Sequence, residues 1–346
     1  MRLIIALLFS AVLATTANAV EFRLEEVPLV TAVPIDQLKP GVIAFSDHRK
    51  DELVDSTTGL IKFADWERER PDQKQLLSLY PSYEEPMVKK TSGGVTSTRK
   101  ERLHMYVVEA RFLVNKPNID LARYATLPFI EKLDPAITSK TITAAEAMPL
   151  KEAQFAYNRI PDRPWCEDKP NNVCLTSRYK FEGKLPIGIT LLNQLRESSK
   201  KIATYIDFQS ELRVLAPDQI DEAKLKQLTA IDTPITGVLE QNIFWVNQIM
   251  QFGKFVAIAQ KHPTNADETV VTVLAALAVD SDLFEKKKEY EHVPVLRNLV
   301  PAQVLAGNSS FNTGNSISSG LPNYARNRIK GIAEVLENDK EKAAGK

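Results

Sequence analysis

The 346-residue chain has only two cysteines and four histidines, and its 44 basic residues are balanced by 44 acidic residues. Structural zinc sites usually take four cysteine or histidine ligands, often in closely spaced pairs, and the sequence has no such pair. Proteins that bind nucleic acid typically show a basic excess or a basic stripe, which a formal net charge of zero does not provide. We therefore predict no metal site and no nucleic-acid partner.

The sequence also lacks the short motifs of several large enzyme classes. It has no G-x-S-x-G nucleophile elbow, no P-loop and no G-x-G-x-x-G dinucleotide fingerprint. None of the histidines, His48, His104, His262 and His292, has a second histidine four positions later, as zinc proteases do. We predict no cofactor and assign no catalytic residue. Because catalytic residues converge in space from distant segments, this absence favours a non-enzymatic protein without excluding an enzyme.

The first nineteen residues have the pattern of a secretory signal peptide. Arg2 supplies a positive charge, Leu3–Ala14 is an apolar run, and small residues end the segment at Ala19. A membrane-spanning helix needs about 20 apolar residues, and neither this run nor any later one reaches that length. We predict cleavage after Ala19 and no transmembrane segment thereafter. The protein would be periplasmic in a Gram-negative bacterium and secreted otherwise.

Cys166 and Cys174 are separated by seven residues that include Pro170 and Asn171, which favour a chain reversal. In an exported chain such a pair predicts a disulfide. Metal binding and redox catalysis are the alternatives. A redox pair is normally C-x-x-C, and a zinc site would need further ligands nearby, so both alternatives are weaker.

Hydrophobic patterning predicts an α+β fold. Leu103–Val114 is rich in β-branched and aromatic residues, and residues 203–215 alternate between apolar and polar, as in an antiparallel strand. Three further strands at hairpin spacing predict a meander near residues 235–280. The spacing of apolar residues after Pro322 predicts a C-terminal helix. We expect a largely antiparallel sheet with the helices packed on one side.

The predicted boundary between domains rests on the local amino-acid composition. Residues 84–102 have few large apolar side chains and two adjacent glycines, which indicates a long loop or linker. We therefore predict an N-terminal extension or small accessory region over residues 20–101 and a main α+β domain over 102–346. Residues 307–320 are almost without large apolar groups and predict a mobile surface loop.

Four local patterns have both a catalytic and a structural interpretation. Ser46-Asp47-His48 contains triad residue types, but three adjacent residues do not converge as a triad must, which favours a polar turn. His262 precedes a proline in a predicted hairpin turn and would need a partner to act as a base. Asp207 and Glu211 share a strand face, as a glycosidase pair would need, although Arg213 favours a solvated face. Gly93-Gly94 resembles an anion-binding loop but has no strand–loop–helix context.

The aromatic residues Phe244, Trp245, Phe252 and Phe255 could line an apolar cavity if the sheet curves around the C-terminal helix, or they could pack the core. The leading hypothesis is a non-enzymatic exported protein that binds an apolar small molecule or an envelope partner. The alternative is a secreted or periplasmic hydrolase with an unrecognised active site, for which His262 and the acidic residues near it are the candidates. A structural component of an envelope assembly is a third hypothesis, and it would expose an apolar patch.

Overall fold

In the computed structural model eleven strands form one sheet and two more form a separate hairpin. The structure describes residues 19–47, 52–55, 59–69, 87–92, 95–100, 103–147, 166–180, 205–246, 250–280 and 317–339. The strands are β1 (Arg23–Glu26), β2 (Val42–Ser46), β3 (Val54–Asp55), β4 (Leu60–Lys62), β5 (Met87–Ser92), β6 (Val95–Lys100), β7 (Leu103–Val114), β8 (Ile137–Thr141), β9 (Asn172–Lys180), β10 (Tyr205–Val214), β11 (Ile235–Val246), β12 (Met250–Lys261) and β13 (Thr269–Asp280). The α-helices of these ranges are α1 (Phe63–Glu69), α2 (Leu127–Leu133), α3 (Glu222–Thr229) and α4 (Ile317–Asn338).

The main sheet follows the order β1-β2-β7-β13-β12-β11-β10-β9-β8, with β4 also on β7 and β3 on β4. Its strand pairs are antiparallel except β1 with β2. Strands β11, β12 and β13 pair consecutively, which confirms the predicted meander. The predicted α+β class, with a largely antiparallel sheet and a C-terminal helix, is confirmed.

The central strands bury both faces of the sheet. Along β12, Phe255 and Ala257 lie in the core cluster that contains α4, whereas Val256 and Ile258 lie in a cluster with Leu225 of α3. We call the α4 side the inner face and the opposite side the outer face. Helix α2 also contacts the inner face and α1 the outer face. The helices therefore cover both faces, whereas the sequence predicted one side; the nearly unbroken apolar run of residues 270–279 is typical of a strand buried on both faces.

Helix α4 buries a stripe of residues three or four positions apart. Ala325, Ile329, Ile332 and Leu336 are at most 6% exposed, as the sequence pattern predicted. The helix begins at Ile317, so Pro322 lies within it rather than before it. A proline there removes one backbone hydrogen bond, which the buried stripe that follows offsets. Residues 317–320 of the predicted mobile loop are helical, and its other residues lie outside the described ranges.

The N-terminal segment contributes strands to the main sheet. Phe45 of β2 pairs with Ala110 of β7, and Ile61 of β4 pairs with Met105. Strands β1–β4, which lie in the region predicted as an extension or accessory region, thus belong to the sheet of the main domain. The backbone N–H of Val20 also donates to Asn338 Oδ1 at 2.8 Å, and Asn338 Nδ2 donates to the Val20 carbonyl at 2.9 Å.

The predicted loop over residues 84–102 is wrong, because β5 and β6 form an antiparallel hairpin there. In the sequence the two strands are separated only by Gly93 and Gly94. A two-residue glycine connection is a recognised hairpin signal, since both positions of such a turn favour positive φ. The flanking residues are polar, which hid this signal.

The disulfide between Cys166 and Cys174 is formed, as predicted, with the two Cα atoms 5.8 Å apart. Both cysteines are buried, next to Ile142 and Ala147. Asn171 has a φ of 63° and turns the chain into β9. Asparagine tolerates this left-handed conformation better than most residues, so the local sequence directs the reversal. In the part of the chain that the structure describes, no helix is both long enough and apolar enough to cross a bilayer.

Replacing Cys166 and Cys174 together by alanine should lower the free energy of unfolding by about 2.5 kcal/mol, because the nine-residue loop is no longer closed in the unfolded chain. Urea unfolding followed by circular dichroism measures this change. Wild-type protein treated with a reductant is the control and should lose a similar amount. Equal stability of the oxidised wild type and the double variant would contradict the prediction.

Candidate functional site

A small cavity lies between α4 and the inner face of the sheet, where α2 closes over strands β10–β13. Its volume is about 20 Å³, room for about one water molecule. Its walls are mainly leucine, phenylalanine and other apolar side chains, with one amide and one guanidinium group. They are Leu121, Phe129, Leu133, Leu212, Leu239, Gln241, Phe255, Ala257, Val273, Arg328, Ile332 and Leu336.

Two glycines allow the residues around α2 to fit between the sheet and α4. A Cβ atom on Gly237 of β11 would lie 3.2 Å from Leu121 Cδ1. A Cβ atom on Gly331 of α4 would lie 3.2 Å from Leu133 Cδ2. Both distances are tighter than ordinary van der Waals contact. The close approach of these segments therefore depends on the missing side chains.

Arg328 is the only charged residue in the cavity wall, and its side chain is 2% exposed. Its Nη1 donates to Asp134 Oδ2 and, at 3.1 Å, to the Tyr324 hydroxyl oxygen. Its Nη2 donates to Gln241 Oε1. The guanidinium carbon lies 4.7 Å from the centroid of the Phe255 ring, within the range of a cation–π contact. One side chain thus joins α4 to the end of α2 and to β11.

The surroundings of Arg328 compensate its charge but do not use all its donors. Burial lowers the pKa of Arg328 to about 9. Burial also raises the pKa of Tyr324, so that its hydroxyl stays protonated. Asp134 neutralises the guanidinium, which is needed because an unpaired buried charge is strongly destabilising. The Nε atom of Arg328 is buried and has no hydrogen-bond partner within the part of the chain that the structure describes.

Sequence reasoning missed this arrangement, although one signal for it exists. Arg328 lies on the buried stripe of α4, three residues after Ala325 and one before Ile329. A charged residue on an apolar helix face usually has a buried partner. That partner, Asp134, is 194 positions away in sequence, so no local pattern identifies it.

The outer face carries a second, largely buried group of charges, which we call the outer-face charge cluster: Glu211, Arg213, Glu240 and Lys254. Glu211 and Glu240 are fully buried, and Lys254 is 5% exposed. Arg213 Nε lies 3.8 Å from Glu240 Oε2, which also accepts from Asn242 Nδ2 at 3.3 Å. Burial raises the pKa of Glu240 and lowers that of Lys254 to about 8. Two carboxylates and two cations balance within the cluster.

Asp207 and Glu211, weighed above as a possible glycosidase-like pair, lie in different surroundings. Asp207 forms a two-point ion pair with Arg178, with distances of 2.6 and 2.8 Å. Glu211 belongs to the outer-face charge cluster and accepts from Asn172 Nδ2 at 2.8 Å. The face is not solvated at Glu211, in contrast to the sequence interpretation, because Glu211 is fully buried. Each carboxylate therefore has its own structural partner.

His262 caps a turn. Its Nδ1 accepts hydrogen bonds from the backbone N–H groups of Thr264, at 3.2 Å, and Asn265, at 2.9 Å. Its Nε2 lies 3.9 Å from Glu268 Oε2. Because Nδ1 is occupied by two donors and Nε2 faces a carboxylate, this geometry supports the structural interpretation of the turn over a general base.

The remaining candidates have separate surroundings. Ser46 Oγ donates to the Pro28 carbonyl at 3.0 Å, and Asp47 Oδ2 accepts from the Tyr106 hydroxyl at 3.3 Å. His104 is buried on β7. His48, His292 and Gly93-Gly94 lie outside the described residues, as do the side chains of Phe244, Trp245 and Phe252. No group of three or more potential metal-ligating side chains occurs within the described ranges.

No family model and no curated protein sequence matches the chain. Among solved structures it is similar to the Zhui aromatase/cyclase from Streptomyces sp. R1128, with a TM-score of 0.34 and 8% identity over 70% of this chain and 100% of that one. It is also similar to the lipid transfer and protein localization domain of human StarD13, with a TM-score of 0.30 and 7% identity over 80% and 96%. For human STARD10 the values are 0.26 and 8% over 68% and 79%. Overlaps this low carry no functional argument.

Lys254→Met should remove a pH dependence of stability. The pKa of Lys254 is about 8 in the folded protein, whereas a lysine in an unfolded chain titrates at about 10.4. Between these values the unfolded chain binds more protons, so this lysine makes the free energy of unfolding rise with pH. The stability of the wild type minus that of Lys254→Met should rise by about 3 kcal/mol across this window.

Urea unfolding at several pH values across the window measures this difference. Lys261→Met, at an exposed position on the same strand, is the matched control and should follow the wild-type curve. Parallel curves for the wild type and Lys254→Met would show that Lys254 does not titrate in this range.

His262→Ala should lower the free energy of unfolding by about 1 kcal/mol, because two backbone N–H groups lose their acceptor. His262→Asn should retain most of the stability, since an asparagine side chain can accept from the same backbone positions. Thermal unfolding distinguishes the two variants. If alanine left stability unchanged but abolished a hydrolytic activity, the catalytic hypothesis would replace the structural one.

Proposed function

We propose that this protein is an exported, non-enzymatic protein that binds an apolar small molecule between α4 and the inner face of the sheet. The observation that carries the proposal is the cavity wall, in which ten of twelve side chains are apolar and one buried cation is fixed by hydrogen bonds. Sites for small ligands are typically apolar with a few positioned polar groups. Export rests on the N-terminal sequence pattern and is consistent with the disulfide.

The size of the cavity sets a condition on the mechanism. Ligand sites are usually about 300 Å³ or larger, whereas this cavity has about 20 Å³. Binding therefore requires α2 and α4 to move away from the sheet. The end of α4 is held by Lys116, whose Nζ donates to the carbonyls of Leu336 and Asp339. Movement at α2 and at the preceding turns of α4 would enlarge the cavity while this end remains fixed.

The other hypotheses have less support. The hydrolase alternative depended on His262, whose Nδ1 already accepts two backbone hydrogen bonds. An envelope partner or assembly would be favoured by a continuous exposed apolar patch. Among the described residues the exposed large apolar side chains are Val20, Leu29 and Tyr205, which belong to separate segments of the chain. No specific observation favours either alternative over a small apolar ligand.

Ala257→Leu should weaken ligand binding by at least about tenfold, because a leucine at this position fills the cavity and the overlap costs about 1–3 kcal/mol. The probe is N-phenyl-1-naphthylamine, an uncharged apolar fluorophore whose emission rises when it leaves water. Fluorescence titration gives the dissociation constant.

Ala276→Leu is the matched control. Ala257 and Ala276 are 5% and 6% exposed, but Ala276 lies on the outer face, with Trp66. The control should bind the probe like the wild type despite a similar overpacking. An equal loss of affinity for the probe in both variants would show that overpacking lowers the stability of the protein, rather than that filling the cavity blocks binding. Lack of saturable binding to the wild type, together with no small molecule in native mass spectra of the mature protein, would refute the proposal.

A further inference from the structure

We infer that Arg328 and Tyr324 form a polar anchor that selects apolar ligands with an uncharged hydrogen-bond acceptor, such as a carbonyl or ether oxygen. This inference rests on the proposed function and specifies the class of ligand.

Among the described residues, the groups of the polar anchor that remain without a hydrogen-bond partner are donors rather than acceptors. The Nη atoms of Arg328 donate to Asp134, Tyr324 and Gln241, whereas its buried Nε–H has no acceptor in the described ranges. The hydroxyl oxygen of Tyr324 accepts from Arg328, and the described residues provide no acceptor for the hydroxyl hydrogen. Gln241 is used at both ends, because its Nε2 donates to Ser210 Oγ at 3.1 Å. A ligand atom that accepts hydrogen bonds therefore complements the anchor.

The charge balance favours an uncharged ligand. Asp134 already neutralises Arg328, and both side chains are less than about one-tenth exposed. A ligand carboxylate would bring a second negative charge into this buried region without a new cation. An isolated buried charge is costly, whereas a carbonyl oxygen can accept from the unused donor at no net charge. The anchor should accordingly discriminate against fatty acids and favour ketones, esters or ethers.

The position of Arg328 connects the anchor to the apolar wall. The guanidinium lies against Phe255, and Phe255, Leu239 and Ala257 all line the cavity with it. An acceptor at the anchor would thus place the rest of the ligand among apolar side chains. A purely structural Arg328 would hold α4 to α2 equally well but would not distinguish between ligands of the same shape.

The test compares two probes of nearly the same shape, 2-acetylnaphthalene, which has a carbonyl acceptor, and 2-ethylnaphthalene, which has none. The readout is the ratio of their affinities for each protein, measured by fluorescence titration. Arg328→Lys keeps a cation for Asp134 but lacks the Nε–H and the guanidinium fork. In this variant the affinity for the ketone relative to that for 2-ethylnaphthalene should fall about tenfold, which is the effect of losing one buried hydrogen bond.

Two further variants keep the test decisive. Arg328→Met combined with Asp134→Asn removes both charges together, which avoids an unpaired buried carboxylate if Arg328→Lys does not fold. It should reduce the ratio to a similar extent. Tyr324→Phe removes only the hydroxyl group, and it should reduce the ratio of affinities by a smaller factor. On the wild type, 2-naphthoate should bind at least about tenfold more weakly than the ketone.

The outcomes separate the anchor from the cavity. If both probes bind the wild type and lose affinity in Ala257→Leu, but the ratio is unchanged in folded Arg328 variants, the anchor is refuted and the proposed function stands. Tighter binding of 2-naphthoate than of the ketone would also refute the anchor. If neither probe binds the wild type, the proposed function fails and the anchor fails with it.

Discussion

Burial of both faces of the central strands is the constraint on which the rest of the structure depends. Strands β7, β12 and β13 carry apolar side chains in both directions, so each face requires its own cover. Helices α2 and α4 cover the inner face, and α1 and α3 contribute to the cover of the outer face. A charged side chain that points into one of these covered faces must then find its partner within the interior.

Both groups of buried charges follow from that constraint. On the inner face Arg328 is balanced by Asp134, and on the outer face the carboxylates Glu211 and Glu240 are balanced by Arg213 and Lys254. Removing one partner of such a group is more destabilising than replacing the whole group by apolar residues. The two groups differ in one respect, because Arg328 lines the cavity between α4 and the inner face, and its Nε atom has no hydrogen-bond partner among the described residues.

Strong local patterns made part of this fold predictable. The bounds predicted for β7 agree with the structure, as do the buried stripe of α4, the meander and the disulfide. The hairpin of β5 and β6 escaped prediction because its strands are polar. The site depends on contacts between residues such as Asp134 and Arg328 that are distant in sequence, and such contacts leave no periodicity to detect. The one sign of the site in the sequence is the charged residue Arg328 within the apolar stripe of α4.

The pairing of Val20 with Asn338 has a consequence for the order of assembly. Helix α4 follows every strand of the sheet in sequence, yet it is hydrogen-bonded to a residue that precedes them all. During synthesis from the N-terminus, all described strands of the sheet emerge before this helix does. The inner face acquires its last wall only when α4 arrives, so the apolar side chains of that face stay uncovered until nearly the whole chain has been synthesised.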